Sequence, residues 1–454
     1  MMSPPLFIDH ERHLRAIMNA ALAAADPRAR TGEGLTRHPP RGDRFAVIAA
    51  GKAAAAMWQG LADARPGRSE KPGESLMVVP EGSRAPAWAL RGDHPLPTER
   101  SEAAGRAIEE FVDAFHDEAG PDAGFVVLLS GGASSLMMCP DERVGVAAVR
   151  ELTDAMLRAG ATIHELNCVR KHLDRLKGGK LAARIAPRWC DVYALSDVLG
   201  DDVSVIGSGP CAPDPTTFLD ALTLATQAMM PALTQHGRRP LPEGDSTYLD
   251  DIYDGYPAIW RLYRGRQRGE DETPKPGDPM FDRVRHFIVA NNATAVDAAA
   301  AEARKLGFML ARVGHDAAGE AATTGRELAA EVRAFADPRP ACVVMGGETT
   351  VTVGRASGKG GRNQELALAA AIALDGASNA AIAAFATDGV DGPTDAAGAI
   401  VTGETHARAR RVGCDPPDSL KRHDSYTFFE RVGGHIKTGP TGTNVNDLAI
   451  ALMY

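Results

Sequence analysis

The chain has 454 residues, carries 50 Lys and Arg against 59 Asp and Glu for a formal charge of −9, and is 44% hydrophobic. That length calls for two or three domains with cores of their own and excludes disorder as the overall class, while the acidic balance argues against nucleic-acid binding. No stretch approaches 18 consecutive apolar residues, the N-terminus lacks a basic-then-apolar leader pattern, and the six cysteines form no CxxC pair, so a cytoplasmic protein with reduced core thiols is expected.

Leu14, Ile17, Ala21 and Leu22 recur at helical spacing and predict an amphipathic opening helix. Short apolar runs then alternate with longer helical stretches, which predicts an α/β fold. Strands are expected at Phe45–Ala49, Leu76–Val79, Phe125–Leu129, Val192–Leu195, Phe287–Ala290, Cys342–Met345 and Ile382–Phe385. Most of these runs are continuous rather than alternating, as parallel strands buried on both faces should be. Several lead straight into polar or glycine-rich turns: Gly51-Lys52, Ser130-Gly131-Gly132, Ser196-Asp197, Asn291-Asn292, Gly346-Gly347-Glu348 and Thr387-Asp388-Gly389. Ligands in open parallel sheets sit at such strand ends. Between about Gln235 and Asp282 the composition shifts to Pro, Gly and charge, with Tyr248, Tyr253, Tyr256, Trp260 and Tyr263 in the middle. An inter-domain connection is expected there, part of it packed on a domain surface.

The familiar nucleotide motifs fail. The one nominal GxGxxG, Gly207 to Ala212, precedes Pro213 and Pro215 rather than a helix, and Gly354 to Gly360 misses both the spacing and the Ser/Thr of a P-loop. The protein-kinase motif set is absent as well. Phosphate chemistry is suggested elsewhere. Ser130, Gly131, Gly132, Ala133, Ser134 and Ser135 follow a buried strand and could form an anion nest. Gly51-Lys52 joins a strand to an alanine-rich helix, and Lys359, Gly361 and Arg362 open the helix Leu366–Leu374, where the dipole favours anions. Arg170, Lys171, Arg175, Lys177 and Lys180 face Asp174 alone, on a helix with Leu166, Val169, Leu173 and Leu176 as its apolar stripe. Asp197, Asp201 and Asp202 follow one strand, and Asp388, Asp391 and Asp395 another. Hard carboxylate oxygens near phosphates suit Mg²⁺, with Asp197 and Asp388 best held because they come directly off strands. The plain alternatives are solvated loop tips, a solvated helix face, and tight turns capped by hydroxyls and carboxylates.

Taken together, AAGKAA at 49–54, GDHPLPTE at 92–99, LLSGGASSLM at 128–137, NCVRKHLDRLKGGKLA at 167–182, GGETTVTV at 346–353, GKGGRNQELALAAA at 358–371, ATDGVDGPTDAAGAIV at 386–401 and TGPTGTNVNDL at 438–448 resemble the glycerate 2-kinases. These are the MOFRL-domain enzymes once named hydroxypyruvate reductases of tartrate degradation. The segment from Glu243 to about Glu270 matches no family segment. The resemblance implies a Rossmann-like N-terminal domain over 1–240, a linker or insertion over 241–284, and a smaller MOFRL-type α/β domain over 285–439, with the active site in the cleft between the two domains. The tail 440–454 is a candidate to return to the first domain. It further implies ATP-dependent phosphorylation of D-glycerate on its 2-hydroxyl, with ATP and Mg²⁺ as cofactors and small-molecule substrates as partners; neither a nucleic acid nor a membrane is expected as a partner. Lys52, Asp197, Arg362 and Asp388 become the expected catalytic residues. Lys52 and Arg362 would neutralise phosphoryl charge or clamp the glycerate carboxylate. One aspartate would accept the hydroxyl proton while the other helps hold Mg²⁺. Gly51, Ser130, Gly131, Gly132, Ser134, Ser135, Lys359, Gly361, Thr441, Gly442, Thr443 and Asn444 are the expected nucleotide or phosphate binders. The rival readings are an NAD(P)H-dependent hydroxypyruvate reductase, which the missing dinucleotide fingerprint disfavours, and a non-catalytic metabolite sensor.

Overall fold

A computed structural model describes residues 5–65, 74–235, 255–269, 272–354 and 358–454. It is a mixed α/β structure with two six-stranded sheets. In the first, the order is β3-β2-β1-β4-β5-β6, from β1 (Phe45–Ala50), β2 (Ser75–Pro80), β3 (Leu90–Gly92), β4 (Gly124–Leu129), β5 (Cys190–Leu195) and β6 (Val284–Ala290). β1 to β5 pair in parallel. Every residue of β1, β4 and β5 is buried, which is why their sequences read as unbroken apolar runs.

The second sheet has the order β11-β10-β9-β12-β8-β7. Its strands are β7 (Met309–Ala317), β8 (Ala341–Gly347), β9 (Ala380–Ala386), β10 (Gly398–Thr402), β11 (His435–Ile436) and β12 (Asp447–Met453). Here the expectation of parallel strands fails. Only β7 and β8 run parallel, while β12 pairs antiparallel with both β8 and β9, and β10 pairs antiparallel with β9 and β11. A continuous apolar run reports burial on both faces, and burial carries no information on direction. The tail, a candidate to return to the first domain, instead supplies β12 near the middle of this sheet. The helix Arg362–Ala373 packs on it with Asn363 to Ala371 all buried, so its first residue rests on a rigid element.

The compact units are not contiguous in sequence. One comprises Thr31–Ala194 and Asp201–Val289; the other comprises Met1–Arg30, Leu195–Gly200 and Ala290–Tyr454. The opening helix, His10–Ala24, therefore belongs with the C-terminal residues rather than with an N-terminal domain. It buries Leu14, Ile17 and Ala21, packs against the helix Asn292–Lys305, and His13 Nδ1 lies 2.9 Å from the Tyr454 hydroxyl. The aromatic segment is partly a packed helix, as anticipated. Pro257–Arg268 buries Ile259, Leu262 and Tyr263 against the helices Gly145–Arg158, Ile163–Leu173 and Phe218–Gln235. Tyr248 and Tyr253 lie outside the described residues. Among the described residues no helix is long and apolar enough to cross a membrane.

Candidate active site

Lys52 and the serine-glycine loop belong to the unit built on the first sheet. β1 and β4 are adjacent, so the turns that leave them meet. Lys52 N donates to Gly131 O at 2.9 Å, and the Ser130 hydroxyl accepts from Ala53 N at 3.0 Å. Gly51 has φ +129°, and a Cβ there would stand 2.1 Å from Ser130 Oγ and 2.5 Å from Ser130 O. Gly51→Ala is accordingly expected to cost roughly 1–3 kcal/mol, read as a lowered melting temperature. Gly132 takes φ +86°, and a Cβ there would stand 2.9 Å from the His94 ring. The helix after the loop is only Ala133–Leu136. The hydroxyls are engaged by the protein itself: Ser135 Oγ donates to Gly132 O at 3.1 Å, and Ser134 Oγ lies 2.7 Å from Ser208 Oγ, which donates to Asn167 Oδ1 at 2.9 Å. Ser208 lies in the short 3₁₀ turn Ile206–Ser208, so the nominal GxGxxG does not open a helix after a strand.

Asp197, Arg362, Asp388 and residues 441–444 all belong to the other unit, where the C-terminal segment binds them together. Asn444 Nδ2 donates to Asp197 Oδ2 at 3.1 Å. Thr441 N donates to the Asp388 carbonyl at 3.2 Å, and Thr441 Oγ1 donates to Thr387 O at 2.5 Å. Thr387, fully buried at the end of β9, donates through both N and Oγ1 to Asn446 O and accepts from Val445 N. Asp388 Oδ1 accepts from Val390 N at 3.0 Å, which fixes the turn. Asn292 secures the segment from behind, donating from Nδ2 to Val445 O at 2.7 Å and Asp447 O at 3.1 Å. Thr443 Oγ1 donates to Ala25 O at 2.7 Å, so this expected ligand-binding hydroxyl serves the fold.

Arg362 is clamped. Its Nε and Nη2 donate to the two carboxylate oxygens of Asp447 at 2.5 and 3.2 Å, and Nη1 donates to Glu348 at 2.5 Å. A guanidinium has five N–H donors, so two remain, one on each terminal nitrogen. The side chain is 33% exposed. Burial alone would lower the guanidinium pKa, yet the Asp447 and Glu348 carboxylates hold it above its ordinary value. Asp447, 9% exposed, is the mirror case: burial raises its pKa to about 6 although Arg362 opposes the shift.

Two expectations change. The start of the helix Arg362–Ala373 already has its anion, because buried Asp391 accepts from Asn363 N at 3.0 Å and Gln364 N at 2.9 Å, and from both side-chain amides. Burial pushes the Asp391 carboxyl above its usual range despite these donors. Gly361 gives that carboxylate room, since a Cβ there would lie 2.3 Å from Asp391 Cγ. Lys359 Nζ sits 4.1 Å above the Tyr426 ring centre. The basic run 169–180 is not a solvated positive face. Its helix ends at Leu173, Lys171 pairs with Asp214 at 3.2 Å, Arg175 with Glu109 at 2.7 Å, and fully buried Lys177 with Asp174.

Sequence reasoning missed Glu348 and Asp447 as the partners of Arg362. A carboxylate heading a fully buried strand was the available signal for Asp447. For Mg²⁺, the donor chemistry of Asp197 and Asp388 fits a hard cation that also takes water and phosphate oxygens. Among the described residues no group of three or more His, Cys, Asp or Glu is gathered for a metal.

Comparison with known proteins gives matches along most of the chain. Residues 13–239 match the model of a domain of unknown function, DUF4147, and residues 341–447 match the MOFRL family. A glycerate 2-kinase of Pyrococcus horikoshii is 36% identical over 426 residues, spanning 90% of this chain and 87% of its own. An Agrobacterium vitis protein with a provisional hydroxypyruvate reductase name is 38% identical over 449 residues, spanning 97% of this chain and 94% of its own. A crystal structure of glycerate kinase from Thermotoga maritima superposes with a TM-score of 0.80 at 34% identity, covering 98% of this chain and 100% of that one.

Proposed function

Because this chain belongs to the glycerate kinase family with its MOFRL domain, we propose that it transfers the γ-phosphoryl group of ATP to the 2-hydroxyl of D-glycerate, giving 2-phosphoglycerate and ADP. The observation that carries this reading is the C-terminal segment 441–447, which ties Asp197, Asp388 and Arg362 into one hydrogen-bonded set.

In the transfer, the glycerate 2-oxygen attacks phosphorus, the bond to the β,γ-bridging oxygen breaks, and the hydroxyl proton passes to a carboxylate. Asp197 or Asp388 accepts that proton, and the other helps to hold Mg²⁺. When bound, Mg²⁺ neutralises charge on the phosphate oxygens. Arg362 directs its two remaining N–H groups at the transferred phosphoryl group or at the glycerate carboxylate, from a fork that Asp447 and Glu348 hold in place. Lys52, which leaves β1 beside the serine loop, is a cation for an anionic ligand of that loop. The reductase name on the Agrobacterium relative finds no support in the 207–212 turn, which lacks the strand-to-helix setting of a dinucleotide fingerprint.

The test is direct. Purified protein with ATP, Mg²⁺ and D-glycerate should release ADP only when all three are present, and EDTA in excess over Mg²⁺ should stop the release. NADH with hydroxypyruvate should show no oxidation above the protein-free rate. NADH consumed in proportion to hydroxypyruvate, with no ADP from the kinase mixture, would reverse the assignment.

A further inference from the structure

Six basic side chains crowd residues 170–180, and five of them are compensated. Lys171 pairs with Asp214, His172 with Glu272, Arg175 with Glu109 and Glu142, and Lys177 with Asp174, while Lys180 Nζ donates to Lys171 O and Asp174 O at 3.0 and 2.9 Å. Arg170 is the exception. Among the described residues no carboxylate pairs with it, and its Nε, sealed from solvent, has no hydrogen-bond partner. Burial lowers its guanidinium pKa. Arg170 as a whole is partly exposed, and a charge held partly out of water with no protein partner gains from an opposite charge brought to it.

The position of Arg170 indicates what that is. It lies three residues beyond Asn167 on the helix Ile163–Leu173, so the two share one face. Asn167 accepts from Ser208, and Ser208 is hydrogen-bonded to Ser134 of the serine-glycine loop beside Lys52. The uncompensated cation is thus one helical turn from the side chain that reaches the candidate ligand loop.

We propose that Arg170 is an anion anchor of this site, its missing partner being an oxyanion of the bound ligand, either the carboxylate of the acid substrate or a phosphate of the nucleotide. The inference rests on reading the Ser130–Ser135 loop as part of the ligand site. A planar guanidinium suits either oxyanion through paired hydrogen bonds.

The proposal makes binding and stability move in opposite directions, which a structural role would not do. Thermal unfolding of the full chain and of Arg170→Met and Arg170→Lys is measured alone and with D-glycerate, MgATP or pyrophosphate, the last a probe independent of the proposed activity. Without ligand, Arg170→Met should melt at or above the wild-type temperature, because it removes an unpaired, partly buried charge. It should lose the stabilisation given by at least one ligand, with affinity falling about 10- to 100-fold, and Arg170→Lys should recover part of it. Loss confined to D-glycerate identifies the carboxylate; loss of both MgATP and pyrophosphate stabilisation identifies a phosphate. The proposal is overturned if Arg170→Met binds all three within twofold of wild type, if wild type binds none, or if Arg170→Met melts several degrees lower without ligand, since that exposes a structural partner. A wild type that binds pyrophosphate but never phosphorylates D-glycerate would sink the kinase reading and leave Arg170 to be judged on pyrophosphate.

Discussion

Arg362→Ala is expected to lower kcat/KM for D-glycerate phosphorylation by roughly 10³-fold or more, as loss of a charge-stabilising arginine does in phosphoryl transfer. The residue begins a helix whose next nine residues are buried, and two carboxylates fix its fork, so little reorganisation is needed when charge develops on the transferred group. Alanine removes the two remaining N–H donors together with the charge. Arg362→Lys should recover little, because one ammonium cannot span both oxygens of Asp447 while also reaching a ligand. Steady-state kinetics with near-UV circular dichroism as a check on folding decides the matter. A loss below about tenfold in a folded protein would remove Arg362 from the chemistry.

Asp447→Asn is expected to reduce kcat by roughly 10²-fold, the scale of two charge-assisted hydrogen bonds, with a smaller change in KM. Asp447 touches Arg362 and not the reacting atoms, so it is a positioning residue and should betray itself in the pH profile. Its carboxyl, raised to about 6 by burial, is charged above that pH and neutral below it. Wild-type kcat/KM should therefore fall as pH drops through about 6, when the guanidinium loses the anion that holds it. In Asp447→Asn that acid limb should vanish, leaving a low rate that is flat across the same range. An unchanged limb in the variant would assign it to another group and leave Asp447 with only a packing role.

Much of this architecture was legible from residue pattern. All seven apolar runs read as strands became β1, β2, β4, β5, β6, β8 and β9; β1, β4, β5, β8 and β9 are buried throughout, and buried strands need uninterrupted apolar sequence. Three of the five missed strands failed that test for physical reasons, while β10, fully buried, passed it and was overlooked. β3 and β11 have three and two residues, and β7, at the sheet edge, has none fully buried. β12 did form an apolar run, yet its place depended on pairing with β8 and β9, which local sequence does not encode.

The site divides along the same line. Lys52, Asp197, Arg362 and Asp388 were visible because each follows a strand or opens a helix at a polar or glycine-rich turn. Their partners were not, because the bond from Arg362 to Asp447 spans 85 residues and that from Asp197 to Asn444 spans 247. Composition also misled in the basic run, where counting charges along the chain implied a solvated face. The neutralising groups Glu109, Asp214 and Glu272 arrive from distant segments, and only Arg170 is left as the local count suggested.

The central claim is transfer to the 2-hydroxyl, and enolase, which accepts the 2-phospho isomer, tests it most directly. Purified protein is mixed with ATP, Mg²⁺ and D-glycerate, and enolase is added with no phosphoglycerate mutase present. Phosphoenolpyruvate should form without a lag and in step with ADP. ADP release with no phosphoenolpyruvate and a 3-phosphoglycerate signal in the ³¹P spectrum would contradict the regiochemistry, and no ADP from a folded sample would contradict the account as a whole.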